Sequence, residues 1–411
     1  MTKTKITKDI IADTAFRVWG ETGFHNMSLT LLSDELGITK AGLYRHFKNK
    51  DSLIDYMSQI IKDSIFNQLS DFISIANRLE NPIDLYIDCM VNYFTDFPYR
   101  LFFYTIILTK GMIFHDEKMF ELRNKQTKIF DSYLKKTGNK IDCISSERLL
   151  FYISTAVIYY LSFSFFLKFG LHKAKDITLT ETEKIIFKKD LKNIIFFGFA
   201  NEKNIPSINF SDIEKKSIIL KKDIPERSKI LNAIASLVAE DGMWNITIDK
   251  IAKKTKMAKS SLYLYFANKN EMIGNMIENE FKSLNDIFDT IINQYDNFYE
   301  KLYANICGTF SHFENDLEHL KILNWFHFQD VNIRKKDEVI IKRYQFILDM
   351  IHTGKIKNFS VIDVFPIIFL NVQISKDVMI YQELGNTINF ENKRFLYTMF
   401  LNGLQGGNYE K

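Results

Sequence analysis

Apolar residues recur at helical spacing along most of the chain. Ile11, Ala15, Val18 and Trp19 form one apolar stripe and predict a first helix. Gly23 follows it, where glycine accepts the left-handed conformation beyond a helix end. Ser28 is placed to cap a second helix, whose Leu29, Leu32 and Leu36 face inward. Gly37 sits where a tight turn needs a positive φ. Thr39 can cap a short third helix, Lys40–Phe47, and Lys50 and Asp51 open a long fourth helix to about Ile75.

The pattern then repeats. Residues 10–53 align without a gap with residues 229–272, at an offset of 219. Glu21, Gly23, Asn26 and Lys40 match Glu240, Gly242, Asn245 and Lys259. Leu43, Tyr44, Phe47, Asn49 and Lys50 match Leu262, Tyr263, Phe266, Asn268 and Lys269. The period is far longer than a solenoid repeat, so a whole subunit is duplicated. The halves also end alike, with Phe196-Phe197-Gly198-Phe199 closing an apolar helix from about Thr182 to Ala200. Phe400-Leu401-Asn402-Gly403-Leu404 closes the second half. The polar, Lys-rich stretch Asn201–Ile224 reads as a linker, or alternatively holds a short helix over Ile213–Lys222 packed on one half. The expected boundaries are 1–55 for the first head, 56–200 for a helical regulatory domain, 201–224 for the linker, 225–274 for the second head and 275–411 for a second regulatory domain.

Composition supports helices over sheets. Only 5 Pro and 16 Gly occur among 411 residues, too few turn residues for many short strands. Apolar residues at 46% and charged residues at 25% are ordinary for a globular chain and argue against disorder. Cys89, Cys143 and Cys307 are scattered without a CxxC, which fits a reducing cytosol and no disulfide framework. Met1–Asp9 has no apolar core of a signal peptide, so a cytoplasmic protein is expected. Leu149–Leu167 carries no charge and reaches transmembrane length. It also holds Tyr152, Ser154, Thr155, Tyr159, Tyr160, Ser162 and Ser164, so a buried helix is expected and stable membrane insertion is not.

Two short helices joined by a glycine turn make a helix-turn-helix, whose second helix enters the DNA major groove. Lys40, Ala41 and Gly42 then point at base edges, and small residues there allow close backbone approach. Tyr44, His46 and Lys50 suit phosphate oxygens. Lys3, Lys5 and Lys8 form a basic arm before the first head, and Lys221, Lys222, Arg227 and Lys229 form its counterpart before the second. The net charge of +4 matters less than this placement. Solvated lysine faces on an ordinary bundle would give one such head by chance, but not two with the same Lys, Tyr and Lys positions.

The stretch "LSDELGITKAGLYRHFKNKDSL" resembles the head of the TetR/AcrR family of bacterial regulators, and "MAKSSLYLYFANKNEM" resembles a common variant of it. The resemblance is specific over about 45 residues in each head and only architectural elsewhere. It implies an all-α fold of two tandem TetR-like units, each a three-helix head, a connecting helix and a helical regulatory and dimerisation domain. It implies base-proximal Thr39, Lys40, Ala41 and Gly42, and phosphate-facing Thr30, Tyr44, His46 and Lys50; Arg45 is a further DNA-binding candidate. In the second head the matching positions are Ala258, Lys259, Ser260 and Ser261, then Asp249, Tyr263, Tyr265 and Lys269.

The second head departs from the pattern. Lys256 replaces the turn glycine, Ala258 replaces the capping Thr39, and Asp249 replaces Thr30. Weaker binding, or another DNA sequence, is therefore expected of it. Family members carry one head and pair as homodimers, so a chain with two heads suggests an intramolecular pseudo-dimer. A half of this size spans about 45 Å. A fully extended linker of 24 residues reaches about 80 Å, so reach permits pairing. The rival is a homodimer with four heads.

The regions between are rich in aromatics. Tyr93, Phe97, Tyr104, Tyr152 and Tyr159 in the first half, with His312, Trp325 and Phe326 in the second, are candidates to line pockets for a small apolar or aromatic effector. An aromatic stripe at helical spacing is more often plain core. No HxxxH, HExxH, GxSxG, P-loop or Rossmann pattern occurs, so neither catalysis, cofactor nor metal is expected. His115-Asp116-Glu117 reads as a helix start with favourable acids. The reading is a transcriptional regulator on double-stranded operator DNA, most simply a ligand-responsive repressor. An architectural DNA-binding protein without a ligand and a membrane-tethered regulator are the alternatives.

Overall fold

The computed structural model describes residues 6–22, 27–76, 78–109, 117–138, 146–170, 177–202, 205–224, 226, 228–241, 246–265, 278, 282, 284–320, 322, 344–357, 365–383 and 389–404. Among these residues there is no strand. One isolated antiparallel bridge, Ala200 to Ile356, is the closest approach to sheet. The chain forms two compact units, Met1–Phe196 and Phe197–Gly406.

Unit 1 begins with α1 (Lys8–Thr22), α2 (Leu29–Glu35), α3 (Lys40–Tyr44) and the long α4 (Lys50–Ala76). It continues with α5 (Pro82–Asp96), α6 (Pro98–Thr109), α7 (Glu117–Thr137), α8 (Ser146–Phe169) and α9 (Glu181–Phe197). Local chemistry explains the starts. Asn81 accepts the N–H groups of Ile83 and Asp84 at 3.1 and 3.3 Å, and Pro82 opens α5, where its missing N–H costs nothing. α4, α5 and α7 surround an aromatic chain in which Phe72, Tyr86 and Phe130 meet edge to face at 5.6 and 5.7 Å.

α8 is the apolar stretch that reaches membrane length. Its most apolar window is 72% buried, and Leu149, Ile153, Ala156, Val157 and Leu161 have no exposed surface. It packs against α5, α6 and α7. An all-round apolar helix surrounded by its own domain accounts for the composition. Its polar residues are placed as well, since the Ser154 and Tyr86 hydroxyls lie 2.7 Å apart and Tyr160 donates to Asp190 at 2.6 Å.

Unit 2 holds α10 (Phe210–Lys216), a 3-10 turn at Lys221–Asp223, α11 (Lys229–Asp241), α12 (Ile248–Thr255) and α13 (Lys259–Tyr265). A helical stretch over 284–292 precedes α14 (Phe298–Asn315), which is followed by α15 (Gln345–His352), α16 (Phe365–Glu383) and α17 (Phe390–Asn402). α14 is the central rod, packed on α10, α15, α16 and α17. Gly308 lets the 284–292 stretch approach it, because a Cβ there would stand 3.0 Å from Phe288.

The segment read as a tether is part of unit 2's core. α9 ends at Phe197 rather than Ala200, because Gly198 turns the chain at φ +58, with the Leu401 backbone where a Cβ would be. Phe199 is fully buried and stacks on Phe400 at 4.7 Å. The N–H of Phe199 donates to Phe400 at 2.7 Å, that of Ala200 to Leu401 at 3.0 Å, and that of Lys357 to Phe199 at 2.7 Å. Further on, Glu214 on α10 is buried, accepts from Tyr303 at 2.6 Å and receives Arg394 in a two-pronged pair at 2.7 and 2.9 Å. Ile219 exchanges hydrogen bonds with Ser311. The short helix lies at Phe210–Lys216 rather than Ile213–Lys222. A reach of about 80 Å for a free tether therefore does not apply to these residues.

Candidate nucleic-acid interface

The first head is fixed by short-range chemistry. Ser28 Oγ accepts the Leu31 N–H at 3.1 Å and starts α2. Gly37 at φ +63 makes the turn, and Thr39 Oγ1 accepts the Gly42 N–H at 3.1 Å to start α3. α3 is shorter than the expected Lys40–Phe47, and Arg45, His46 and Phe47 close as a turn with Phe47 donating to Leu43 at 3.1 Å. Leu32, Leu43 and Phe47 are buried, whereas Leu29 and Leu36 are half-buried. Gly23 lies outside the described residues, and α1 ends at Thr22.

This core leaves a polar face outward. Thr30, Thr39, Lys40, Ala41, Tyr44 and Arg45 are exposed, and Gly42 and His46 are half-buried beside them. Tyr44 is 52% exposed, which for an aromatic ring leaves its hydroxyl and face available to a backbone. Lys48 is exposed on the same turn, a cation that the motif comparison passed over although it lies in the run from Arg45 to Lys50. Lys50 is placed differently from the rest. It is half-buried, its Nζ donates to the Met27 carbonyl at 2.9 Å, and burial pushes its ammonium down to about 8. An ammonium has three donors, so this clamp leaves capacity for a phosphate.

Lys8 of the arm lies over the rings of Phe47 and Tyr56 at 5.6 and 5.7 Å, while Lys3 and Lys5 lie outside the described residues. Arg17 ties α1 to α2 through Glu35 at 2.8 Å and to Glu21 at 3.0 Å. α1 is also fastened to the regulatory domain. Phe16 and Trp19 meet Phe103 of α6 edge to face at 5.3 and 4.9 Å, and Arg100 reaches Asp13 at 3.3 Å.

The second head repeats the plan with different electrostatics. Thr247 Oγ1 accepts the Lys250 N–H at 3.2 Å and starts α12. Lys256 takes the turn at φ 56 and ψ 33, the left-handed region that glycine fills in the first head. Lys259 and Ser260 are exposed and Ser261 is half-buried. Lys259 Nζ stands 2.8 Å from Asp249 Oδ1, and both side chains are exposed. The position occupied by Thr30 in the first head thus holds a carboxylate that engages Lys259, the lysine expected near the bases in the second. Tyr263 and Tyr265 belong to α13, but their side chains lie outside the description, as does Lys269 entirely. Lys221, Lys222 and Lys229 are exposed, and Arg227 lies outside the described residues.

The pocket candidates separate. Tyr93, Tyr104, Tyr152 and Tyr159 are buried in unit 1 at 8% exposure or less. Burial pushes the Tyr104 and Tyr152 phenols up, so they stay neutral donors. Phe97 sits at the end of α5, 44% exposed, under the Arg100 guanidinium at 4.2 Å, and so belongs to the surface. His312 is buried in unit 2, and Trp325 and Phe326 lie outside the described residues, as does His115-Asp116.

A family model described as bacterial regulatory proteins, tetR family, matches residues 11–57 and 230–276. Over 141 residues the chain is 28% identical to the fatty acid metabolism regulator protein of Bacillus subtilis (strain 168), covering 34% of this chain and 72% of that protein. Over 134 residues it is 25% identical to the biofilm operon icaADBC HTH-type negative transcriptional regulator IcaR of Staphylococcus epidermidis, covering 28% of this chain and 67% of that protein. Among solved structures, the transcriptional regulator FadR from Bacillus subtilis in complex with stearoyl-CoA aligns at 20% identity with a TM-score of 0.35, covering 43% of this chain and 97% of that one.

Proposed function

We propose that the chain is a tandem TetR/AcrR-type regulator, a DNA-binding protein and not an enzyme, and that it acts as a cytoplasmic, effector-responsive repressor on an operator with two unlike half-sites. The observation that carries this is the contrast between the heads. Lys40 and Thr30 are both exposed in one, and at the equivalent positions Lys259 is paired with Asp249 in the other. Unlike surfaces at equivalent positions read unlike half-sites. Thr39, Lys40, Ala41 and Gly42 approach bases in the first head, and Lys259, Ser260 and Ser261 in the second. Thr30, Tyr44, Arg45, His46 and Lys50 hold phosphates in the first head, with Tyr263, Tyr265 and Lys269 as counterparts in the second.

The effector is a small apolar or aromatic molecule held in unit 1. Tyr93 supports this, because its hydroxyl is buried and has no hydrogen-bond partner among the described residues. The Bacillus subtilis relative's name, a fatty acid metabolism regulator, agrees with an apolar ligand. Binding is read out through α6, which touches α5 and α8 inside unit 1 and α1 of the head. An effector that favours one setting of α6 shifts the population of head positions, and a coupling of about 1–3 kcal/mol changes DNA affinity about 5–150-fold.

Selection of bound DNA from a random pool tests the reading. A site of two different halves about one helical turn apart supports it, and a perfect palindrome or no enrichment overturns it. Sedimentation of the DNA complex separates one 48.4 kDa chain acting as a pseudo-dimer from a homodimer of twice that protein mass.

A further inference from the structure

Unit 2 contains a group of imidazole and carboxylate donors with no part in DNA recognition. His312 lies in the last turn of α14, Asp316 ends that helix, and His319 follows on a helical turn over 317–320. The spacing is H-x3-D-x2-H, which on a continuing helical path brings the three side chains to one side. His312 is 2% exposed and His319 is fully buried. His312 Nε2 and His319 Nδ1 stand 2.6 Å apart. One donor atom from each of His312, Asp316 and His319 lies within 4.8 Å of the other two. Asp316 Oδ1 accepts the His319 backbone N–H at 3.2 Å, which orients the carboxylate beside the rings. Phe288 flanks His312 at 6.3 Å and Phe313 flanks His319 at 6.0 Å, so apolar rings border the donors.

We propose that His312, Asp316 and His319 bind one divalent transition-metal ion of the zinc class, with a water completing four-fold coordination. The donor set selects the ion. Two imidazole nitrogens and one carboxylate oxygen suit zinc, whereas magnesium and calcium prefer oxygen donors throughout. The geometry needs little change. With Zn–N bonds of about 2.0–2.1 Å, tetrahedral ligands stand roughly 3.4 Å apart, so the two nitrogens part by under about 1 Å. The carboxylate has acceptor sites enough to keep its bond to the His319 N–H and still ligate. Binding pins the 317–320 turn to α14, the rod on which α10, α15, α16 and α17 pack. Unit 2 then answers to an ion, a different input from the apolar effector proposed for unit 1. This inference does not depend on the operator reading.

The test uses the full chain, without a polyhistidine tag and stripped by a chelator, titrated with Co2+ and then Zn2+. The expected result is one Co2+ per chain, with the visible bands of a four-coordinate ion, displaced by one equivalent of Zn2+. His312→Gln and His319→Gln lower the affinity at least about tenfold. His352→Gln, which alters an exposed histidine at the end of α15, leaves it unchanged. If a histidine variant fails to fold by circular dichroism, Asp316→Asn keeps an acceptor for the His319 N–H while losing the charged ligand. No four-coordinate Co2+ spectrum in the parent, or unaltered affinity in the folded variants, overturns the proposal.

Discussion

Asp249 holds Lys259 at 2.8 Å on the outer face of the second head, where the first head has a threonine and a lysine at the same two positions. On the proposed reading, the carboxylate competes with DNA for the cation and repels phosphate on its own account. Removing it frees one positive charge for the duplex. Asp249→Asn is expected to raise DNA affinity about two- to five-fold, the scale of an exposed ion pair. It should also steepen the dependence of log K on log salt by about 0.9. Anisotropy titrations of the full chain at several salt concentrations read both quantities, and an unchanged slope would remove Lys259 from the interface.

Lys256 stores backbone strain at the turn of the second head, at φ 56. Glycine at that position carries no Cβ to crowd the carbonyl. Lys256→Gly is expected to stabilise the head by about 1 kcal/mol, seen as slower hydrogen exchange in α12 and α13. The reverse exchange, Gly37→Lys in the first head, should cost a similar amount.

Thr39 caps α3 through the Gly42 N–H. Thr39→Ala is expected to cost about 1 kcal/mol of local stability and to weaken operator binding, whereas Thr39→Ser should retain both. Equal loss in the two variants would mean that the methyl group, not the cap, matters.

Lys50 gives the first head a pH signature. Its ammonium is held at about 8 when folded, so from there to the unfolded value of about 10.4 the folded chain binds fewer protons than the unfolded one. Stability of the head therefore rises with pH across that window. Lys50→Met should lack this rise. Buried phenols such as Tyr86, pushed up to about 12, pull the other way above pH 10. The parent-minus-variant difference in denaturant midpoint is thus the quantity to measure, and a flat difference from pH 8 to 10 would contradict the burial of Lys50.

Phe199 fills the core of unit 2 beside Phe365, Phe369 and Phe400. Phe199→Ala is expected to destabilise unit 2 by about 3–5 kcal/mol and leave unit 1 unchanged. Exchange protection resolved by unit checks this, since loss spread evenly over both would point elsewhere.

The heads were legible in the sequence because their determinants are local. Ser28, Gly37 and Thr39 act within three or four residues, and their spacing carries the information. Lys256 and Asp249 stood out by comparison with their equivalents in the other half. The role of Lys50 was not legible, since its partner Met27 is 23 positions away and only the folded head brings them together. The interval Asn201–Ile224 looked like a tether from its lysines and polar residues. Its anchors, Glu214 and Ile219, are single residues whose partners Tyr303, Arg394 and Ser311 lie about a hundred or more positions later. The His312, Asp316 and His319 group fits neither HxxxH nor HExxH, because its histidines stand seven positions apart with the carboxylate between them. Its local spacing was enough to find it.

The buried ring of Phe199 also bears on how the two halves can be separated. A fragment started at Asn201, where the sequence turns polar, would be born with a hole the size of a phenyl group. It would also leave the Lys357 amide without its acceptor, and the Phe400 and Leu401 carbonyls without their donors. The last turn of the first repeat thus supplies the opening residues of the second. Any dissection of this chain, by protease, by recombination or by design, must cut ahead of Phe197 for the later half to inherit a complete interior.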